Sequence, residues 1–448
     1  MATIANILND AAARYPNKIA VRYLERQFSY AEIRERACRL SSVLRSLGVQ
    51  RGEHIALISP NSPVSLELFF ASAELGIVLE QYNIRLSATV IGELLKASGA
   101  RVAFVSSKLF AEASELIEVA GRLLKVVFVD GSGHGDANSY ESLLASARPL
   151  PPERAASDNA AAPAAGGSGT VANAAAAATS SLTDRNDAAM LLYTSGTTGV
   201  PSGVLISHDA LLHQTALGAQ ISGLSDKSVV LCVLPLFHVT LQSALEAILV
   251  GAELVILDAC TGPDMASAIQ KFAVTHIALV PFLLKALTSH VEDQAVRLDS
   301  LRLVLYGAEP IGRELLRRAQ RVLRCAFMQG YGMTETTAAI TLLLPEHHAD
   351  PQHLSSVGKA LPGVMIKVLD ASGTECPTMV AGEVIVKTRA LMLGYYNDPE
   401  KTERVVKDGW YHTGDIGYLD EQGFLYLVGR KDDMIISGGE NIYPQEVC

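Results

Sequence analysis

The chain has 448 residues, of which 49% are apolar, and its formal net charge is −10. This length exceeds what one hydrophobic core usually serves, so we expect two or more structural units. The apolar fraction excludes intrinsic disorder for most of the chain. The acidic balance provides no basic surface for general nucleic-acid binding, so we predict no nucleic-acid partner.

The sequence contains no candidate membrane segment. Its longest weakly charged apolar run, Val229 to Leu245, contains Pro235 and His238 and falls short of the about 20 apolar residues that a spanning helix needs. We therefore predict buried core there and no membrane span. The N-terminal segment lacks the pattern of a secretory signal, and the six cysteines form no CxxC pair. These features predict a cytoplasmic protein.

Short apolar runs rich in β-branched residues alternate with helical patterns. The clearest helix is Ser29–Gly48, where apolar residues recur at helical spacing and Ser29 and Glu32 form a capping box. Strands alternating with helices predict parallel sheets with helices on both faces. The predicted strands of this region are Lys18–Tyr23, His54–Ser59, Arg101–Ser106, Lys125–Asp130, Glu253–Asp258, His276–Pro281 and Leu301–Gly307.

Two regions depart from this alternation. Residues 150–183 are rich in Ala, Gly and Ser, and between Ala155 and Thr179 they include no aromatic residue, Leu or Ile, so we predict a surface insertion or linker. The region from 338 to 430 contains short strand patterns separated by Gly, Pro and Asp turns, which predict a β-rich subdomain. These strand patterns are Met365–Asp370, Gly382–Lys387 and Phe424–Gly429.

The strongest local signal for chemistry is the segment Tyr193–Gly203, YTSGTTGVPSG, between two apolar runs. Its hydroxyls and backbone N–H groups can donate hydrogen bonds to phosphate oxygens, and glycine permits close approach. It is not a Walker A loop, because the GxxxxGK[ST] pattern is absent. On composition alone, a plain strand–turn–strand connection is the better interpretation. The candidate residues are Thr194, Ser195, Gly196, Thr197, Thr198 and Gly199.

Five further segments follow this loop in a fixed order. They are Leu234–His238 (LPLFH), Tyr306–Glu309 (YGAE), Gln329–Thr336 (QGYGMTET), Tyr411–Asp415 (YHTGD) and Gly429–Met434 (GRKDDM). Together with the loop they resemble, in order, the motifs of the adenylate-forming superfamily, which includes the AMP-forming acyl- and aryl-CoA synthetases. Six motifs in register are far more specific than any one. The resemblance implies an α/β core of two helix-flanked, mostly parallel sheets plus a β-rich, distorted-barrel subdomain.

The resemblance also implies an activity. The enzyme would use ATP and Mg²⁺ to activate a fatty or aromatic carboxylic acid as an acyl-adenylate, release pyrophosphate, and then form a thioester with CoA. Two alternatives stay open: a non-catalytic or impaired relative that binds an acyl-adenylate, and an adenylation module that passes the acyl group to a carrier protein. Whether the protein forms a homodimer is left open as well.

On the phosphate side, the resemblance implies that residues 194–199 surround the phosphates. Thr194 and Thr334 would contact them during catalysis, and Glu335 would hold Mg²⁺, which prefers hard oxygen ligands. Considered alone, Glu335 is better interpreted as a solvated acid in a turn.

On the adenosine side, the resemblance implies that Tyr331 offers a flat surface to the adenine. Asp415 would accept hydrogen bonds from both ribose hydroxyls, for which a carboxylate is chemically suited, and Arg430 would support the ribose or a phosphate. The alternative for Tyr331 is an ordinary half-buried core aromatic. The other residues implied to bind the nucleotide here are Gly307, Ala308, Glu309 and Gly332.

The implied acyl pocket includes His238, Pro281, Gly307 and Gly332. His238 would lie beside the acyl group and contribute to catalysis by gating the path of the thiol. A satisfied core histidine is the alternative. The apolar character of the neighbouring segments favours a fatty or aromatic acid over a charged one.

The sequence departs from the family pattern in two places. Ser202 stands where the loop usually has lysine, so a cation near the phosphates is lost and we expect reduced activity. Asp432 matches the hinge about which a small C-terminal domain swings, and 16 residues follow it. We therefore interpret 1–430 as the AMP-binding domain and 431–448 as the hinge and a stub of an absent C-terminal domain.

Overall fold

The computed structural model describes residues 3–109, 125–130, 139–149, 183–194, 201–238, 240–258, 260–431, 435–437 and 440–442. Most of the Ala-rich segment therefore lies outside the described residues. The same holds for loop residues 195–200, which include Ser195, Gly196, Thr197, Thr198 and Gly199, and for the hinge residue Asp432.

The described chain contains the following elements in chain order. The helices are α1 (Asn6–Arg14), α2 (Tyr30–Ser46), α3 (Pro63–Leu75), α4 (Ala88–Ser98), α5 (Tyr140–Ser146), α6 (His208–Ile221), α7 (Leu241–Val250), α8 (Gly262–Phe272), α9 (Pro281–Asp293), α10 (Arg313–Leu323) and α11 (Pro399–Val405). The strands are β1 (Ile19–Tyr23), β2 (Arg26–Ser29), β3 (His54–Ile58), β4 (Val78–Gln81), β5 (Val102–Val105), β6 (Lys125–Phe128), β7 (Ala188–Thr194), β8 (Ser202–Ser207), β9 (Val229–Cys232), β10 (Glu253–Ile256), β11 (His276–Leu279), β12 (Leu303–Gly307), β13 (Ala326–Met333), β14 (Ala338–Leu343), β15 (Lys359–Ala360), β16 (Met365–Leu369), β17 (Gly382–Lys387), β18 (Gly394–Tyr395), β19 (Val406–Lys407), β20 (Trp410–Leu419), β21 (Leu425–Arg430), β22 (Ile435–Ser437) and β23 (Glu440–Ile442).

The largest sheet has nine strands in the order β15-β14-β13-β12-β11-β9-β10-β1-β2. Its six inner strands, from β13 to β1, are parallel, and antiparallel strands lie at both edges. β1 pairs with β10, with Val21 opposite Leu254. The N-terminal strand therefore joins a sheet whose other parallel strands come from residues after 228.

The second sheet has seven strands in the order β18-β8-β7-β4-β3-β5-β6. Strands β7, β4, β3, β5 and β6 are parallel, whereas β8 and β18 are antiparallel to their neighbours. β18 comes from the region after 338, so a short segment of the later chain returns to this sheet. The predicted helix-flanked, mostly parallel sheets are confirmed.

The antiparallel sheet contains β16, β17, β20 and β19, and β21 pairs with β20. This arrangement is the β-rich region that the turn-separated strand patterns predicted. The boundary at residue 338 falls inside the nine-stranded sheet, because β14 pairs with β13 there. The antiparallel sheet itself begins at Met365.

Local signals account for individual elements. α2 begins at the predicted capping box: the Ser29 side chain accepts from the Glu32 backbone, and the Glu32 carboxylate accepts from the Ser29 N–H at 2.6 Å. The apolar run from Val229 to Leu245 forms β9, a loop and the start of α7, with buried residues throughout much of it.

Within the described residues, no helix is both long enough and apolar enough to cross a membrane.

The main core joins the two parallel sheets. It combines Val21 of the nine-stranded sheet and Ile55 of the seven-stranded sheet with α3, of which every residue except Glu74 is buried. Glu67 of this helix is paired with Arg36 at 2.7 Å and accepts a hydrogen bond from the Tyr140 hydroxyl. A buried carboxylate needs such partners. The sheets that carry the site are thus fixed against each other.

Candidate functional site

The candidate site lies where β12 and β13 end. These neighbouring parallel strands place Gly307 opposite Gly330 at the carboxyl edge of the nine-stranded sheet, which is the usual location of ligand sites in such sheets. Ala308, the residue after β12, has a φ of +71°. This conformation is unfavourable for a residue with a Cβ atom and often marks a functional turn.

Two glycines allow the backbones to approach closely at this edge. A Cβ atom on Gly307 would lie 2.3 Å from the Gly330 carbonyl oxygen, and one on Gly332 would lie 2.0 Å from the Ala338 carbonyl oxygen. Any side chain at either position would force the backbone apart. The edge is therefore a thin wall of main chain that leaves room on both of its sides.

A polar cavity of about 500 Å³ lies on one side of this wall. Tyr331, Asp415 and Arg430 line it, and so do the predicted residues Gly307, Ala308, Glu309 and Gly332. The sequence motifs that contain these residues are separated by up to about a hundred residues, and strand pairing of β12 with β13 and of β20 with β21 brings them to one cavity.

Asp415 is the polar centre of this cavity. It is only 6% exposed, and its Oδ2 accepts a hydrogen bond from the Tyr331 hydroxyl at 2.5 Å. Its Oδ1 lies 3.2 Å from the Arg430 Nε. Burial, followed by the neighbouring carboxylate, raises the pKa of Tyr331 well above its ordinary value. Tyr331 is therefore a hydrogen-bond donor that holds Asp415 in place as well as a ring in the cavity wall.

An apolar cavity of about 200 Å³ lies on the other side of the wall. Its lining is mostly aliphatic and includes Leu234, Leu279, Leu305, Met328 and Leu342. The two cavities share four lining residues, which are Gly307, Ala308, Gly330 and Gly332. A group held in the polar cavity and a group held in the apolar cavity would therefore meet at this strand edge.

Two residues predicted for the acyl pocket do not line either cavity. His238 is exposed in the loop between β9 and α7, with its ring centroid 4.7 Å from that of Phe237, so the alternative of a core histidine is wrong. Pro281 is buried as the first residue of α9. Their neighbours Leu234 and Leu279 line the apolar cavity instead.

Glu335 lies in the short 3-10 turn that follows β13, together with Thr334. The interpretation as a solvated acid is wrong, because Glu335 is only 9% exposed. Its Oε1 accepts a hydrogen bond from the Tyr395 hydroxyl at 2.9 Å. No hydrogen bond to Oε2 occurs within the described residues, so Tyr395 orients one of the two carboxylate oxygens. Neither Thr334 nor Glu335 lines either of the two cavities.

The hairpin of β7 and β8 carries the ends of the predicted phosphate loop. Thr194 pairs with Ser202 across the hairpin, and its Oγ1 donates to the Ser202 carbonyl oxygen at 3.4 Å. The Lys401 Nζ of α11 donates to the Ser202 Oγ at 2.5 Å and lies 4.4 Å from the Tyr395 ring centroid. A cation therefore stands beside the position where the sequence lacks the usual lysine.

Sequence reasoning did not select Tyr395 or Lys401. Tyr395 is 60 residues from Glu335, and Lys401 is 199 residues from Ser202. Both belong to the segment that returns through β18 to the seven-stranded sheet. No local motif marks such contacts, because they depend on how that segment pairs with β8.

Comparison with known proteins agrees with this geometry. A family profile described as AMP-binding enzyme matches residues 8–396. Feruloyl-CoA synthase from an Amycolatopsis species is 32% identical over 435 residues, which cover 96% of this chain and 79% of the relative. Fatty acid–[acyl-carrier-protein] ligase ScoC from Streptomyces coeruleorubidus is 29% identical, with 99% of this chain and 80% of the relative covered.

A solved structure extends the comparison to the whole fold. O-succinylbenzoate coenzyme A synthetase from Bacillus subtilis, in complex with the acyl-adenylate intermediate, aligns with a TM-score of 0.82 and 27% sequence identity. The alignment covers 99% of this chain and 81% of that chain.

Proposed function

The chain belongs to the AMP-binding enzyme family, and we propose that it is an AMP-forming ligase that converts a carboxylic acid into an acyl-adenylate. The observation that carries this proposal is the wall shared by the two cavities. The polar cavity suits an adenosine and the apolar cavity suits an acyl chain, so the carboxylate and the α-phosphate would meet at Gly307 and Gly332. Holding two reactants in contact is itself a large part of catalysis.

The reaction follows from this arrangement. A carboxylate oxygen attacks the α-phosphorus of ATP, a new oxygen–phosphorus bond forms, and the bond from the α-phosphorus to the bridging oxygen of the β-phosphate breaks. Pyrophosphate leaves with the electron pair of that bond. Catalysis of such transfers is mostly positioning and charge neutralisation. Asp415, held by Tyr331, positions the ribose, and the Thr334 hydroxyl donates to the phosphates.

Glu335 fits the role of the Mg²⁺ ligand. Mg²⁺ is usually held by one or two carboxylates together with substrate phosphates and water. Within the described residues, no group of three or more His, Cys, Asp and Glu side chains could hold a metal ion, which is consistent with such a sparse site. Tyr395 orients Oε1 of Glu335. When bound there, Mg²⁺ would neutralise charge on the phosphates.

The size of the apolar cavity favours an aromatic acid over a long-chain fatty acid. A cavity of about 150 Å³ holds benzene, so about 200 Å³ accommodates a ring with a short substituent. The acyl acceptor that we propose is CoA, as in the feruloyl-CoA synthase relative. An acyl carrier protein is the second candidate, favoured by the similarity to a fatty acid–acyl-carrier-protein ligase.

The proposal is tested by ATP–pyrophosphate exchange on a panel of carboxylic acids. We expect exchange that requires an added acid and Mg²⁺, with single-ring aromatic acids supporting faster exchange than acids of twelve or more carbons. Nucleotide binding without exchange for any acid would instead support the non-catalytic alternative. Absence of nucleotide binding by calorimetry would contradict both.

A further inference from the structure

The mostly apolar lining of the acyl cavity is interrupted by Gln214, Ser222 and Thr240 and by one face of α7. Gln242, Ser243 and Glu246 of α7 all line it. Residues three and four apart share one face of a helix, so the three polar groups form a cluster, which we call the α7 polar face. Ser243 and Glu246 also line a small adjoining cavity of about 30 Å³, and the glycines of the strand edge do not line this second cavity.

The fold makes room for the Glu246 carboxyl group. Gly218 lies in the last turn and a half of α6, where glycine is otherwise unfavourable. A Cβ atom on Gly218 would lie 2.0 Å from the Glu246 Oε1 and 2.6 Å from its Cδ. The carboxyl group therefore occupies the space that the side chain of any other residue type at position 218 would fill.

The acceptors of the α7 polar face have no partners within the described residues. The Gln242 Nε2 donates to the Thr215 Oγ1 at 2.8 Å, but the Gln242 Oε1 is buried without a hydrogen bond. Glu246 forms no hydrogen bond or ion pair there either, and burial raises the pKa of its carboxyl group to about 8. Buried polar groups in proteins are normally paired, so the Gln242 Oε1 requires an explanation, and the half-buried Glu246 carboxyl group lies one turn away from it.

The facing strand does not supply the missing partner. His276 of β11 lines the same small cavity as Glu246, but its Nε2 lies 3.1 Å from the Ser222 carbonyl oxygen and its Nδ1 lies 2.7 Å from the Thr275 Oγ1. Both ring nitrogens of His276 are therefore already engaged. Apart from Ser222 and Ser243, the remaining lining of the small cavity is aliphatic, as in Leu224 and Leu305.

We propose that the α7 polar face binds a hydrogen-bond donor on the substrate, a hydroxyl or amino group carried by the ring at a position remote from the carboxylate. This inference rests on the proposed function of the apolar cavity as the acyl pocket. It narrows the substrate class to hydroxy- or amino-substituted aromatic acids. A pocket built to hydrogen-bond a substrate group discriminates strongly against analogues that lack it.

The test compares cinnamic acid with its ring-hydroxy, ring-amino and ring-methyl derivatives, each as the 2-, 3- and 4-isomer, in ATP–pyrophosphate exchange. For the wild-type protein we expect kcat/KM for at least one hydroxy or amino isomer to exceed that of cinnamic acid and of the methyl isomer about tenfold. Whichever of the hydroxy and amino series has the higher kcat/KM identifies the hydrogen-bond donor of the substrate as a hydroxyl or an amino group. Equal or lower kcat/KM for every hydroxy and amino isomer would overturn the inference. If none of the acids supports exchange, the proposed function itself is overturned.

Two variants assign the preference to Glu246. Glu246→Leu should reduce the hydroxy- or amino-to-methyl ratio of kcat/KM about tenfold and should raise the melting temperature of the ligand-free protein, because an unpaired buried carboxyl group is removed. Gly218→Ala keeps Glu246 but displaces its carboxyl group, so it should reduce the same ratio. A ratio that survives both substitutions in folded protein would contradict the assignment.

Discussion

Replacing Glu335 by Gln is expected to lower the rate of ATP–pyrophosphate exchange about 100-fold at a fixed Mg²⁺ concentration. Glutamine keeps the oxygen that accepts from Tyr395 and nearly the same volume, so the turn after β13 should stay folded. It loses the negative charge that a hard cation requires. The measurement is the exchange rate as a function of Mg²⁺ concentration, whose midpoint should move to higher concentration.

Two further variants sharpen this test. Glu375→Gln changes an exposed carboxylate paired with Lys367, and it should leave the Mg²⁺ titration unchanged. Tyr395→Phe removes the hydroxyl that orients Glu335 and should produce a smaller shift in the same direction. If Glu335→Gln exchanges at the wild-type rate with the wild-type Mg²⁺ midpoint, the metal assignment is wrong.

Replacing Asp415 by Ala is expected to weaken the binding of both ATP and AMP about 100-fold, which corresponds to about 2.7 kcal/mol. The substitution removes the acceptor that would bind the ribose and leaves the Tyr331 hydroxyl without its partner at 2.5 Å. Calorimetry with each nucleotide measures the loss. The melting temperature should also fall, since the Tyr331 hydroxyl is left in a largely buried environment.

The ligand provides a matched control for this prediction. The wild-type protein should bind 2′-deoxy-AMP more weakly than AMP, and Asp415→Ala should bind the two with equal affinity. Asp299→Asn, which changes an exposed carboxylate that contacts Arg297, should retain the wild-type preference. A preference for AMP that persists in Asp415→Ala would show that another residue binds the ribose.

The sequence predicts the architecture well because its signals are local. The capping box of α2 depends on two residues three apart, and the strands β3, β5, β10, β11 and β12 are short apolar runs that periodicity identifies. Such local signals do not indicate which strands pair with each other. Nothing near Ile19 indicates that β1 pairs with β10, and nothing near Gly394 indicates that β18 pairs with β8.

The candidate site shows the same difference between residues that local motifs identify and contacts that depend on the fold. Motif resemblance selects Tyr331, Asp415 and Arg430, and the structure places all three in one cavity. It also selects His238 and Pro281, which do not line the apolar cavity, because their neighbours point into it instead. Glu246 directly follows an apolar run that predicts plain core, so the sequence does not mark it. Its place in the lining of the apolar cavity depends on how α7 packs in the fold.

The contact between Lys401 and Ser202 changes the expectation drawn from the loop. From the sequence, serine in place of lysine predicts the loss of a cation and reduced activity. The structure places an ammonium group at that serine from a helix 199 residues away. Charge balance at a site is a property of the folded neighbourhood, so a missing residue in a motif does not by itself predict a missing charge.

The central claim is that a carboxylate attacks the α-phosphorus of ATP at the wall between the two cavities. It is tested most directly with an aromatic acid labelled with oxygen-18 in its carboxylate, in the presence of ATP, Mg²⁺ and hydroxylamine to cleave the acyl-adenylate. Mass spectrometry should find AMP that carries one oxygen-18 atom, together with the acyl hydroxamate and pyrophosphate. AMP without the label, or ADP and phosphate as products, would contradict the account.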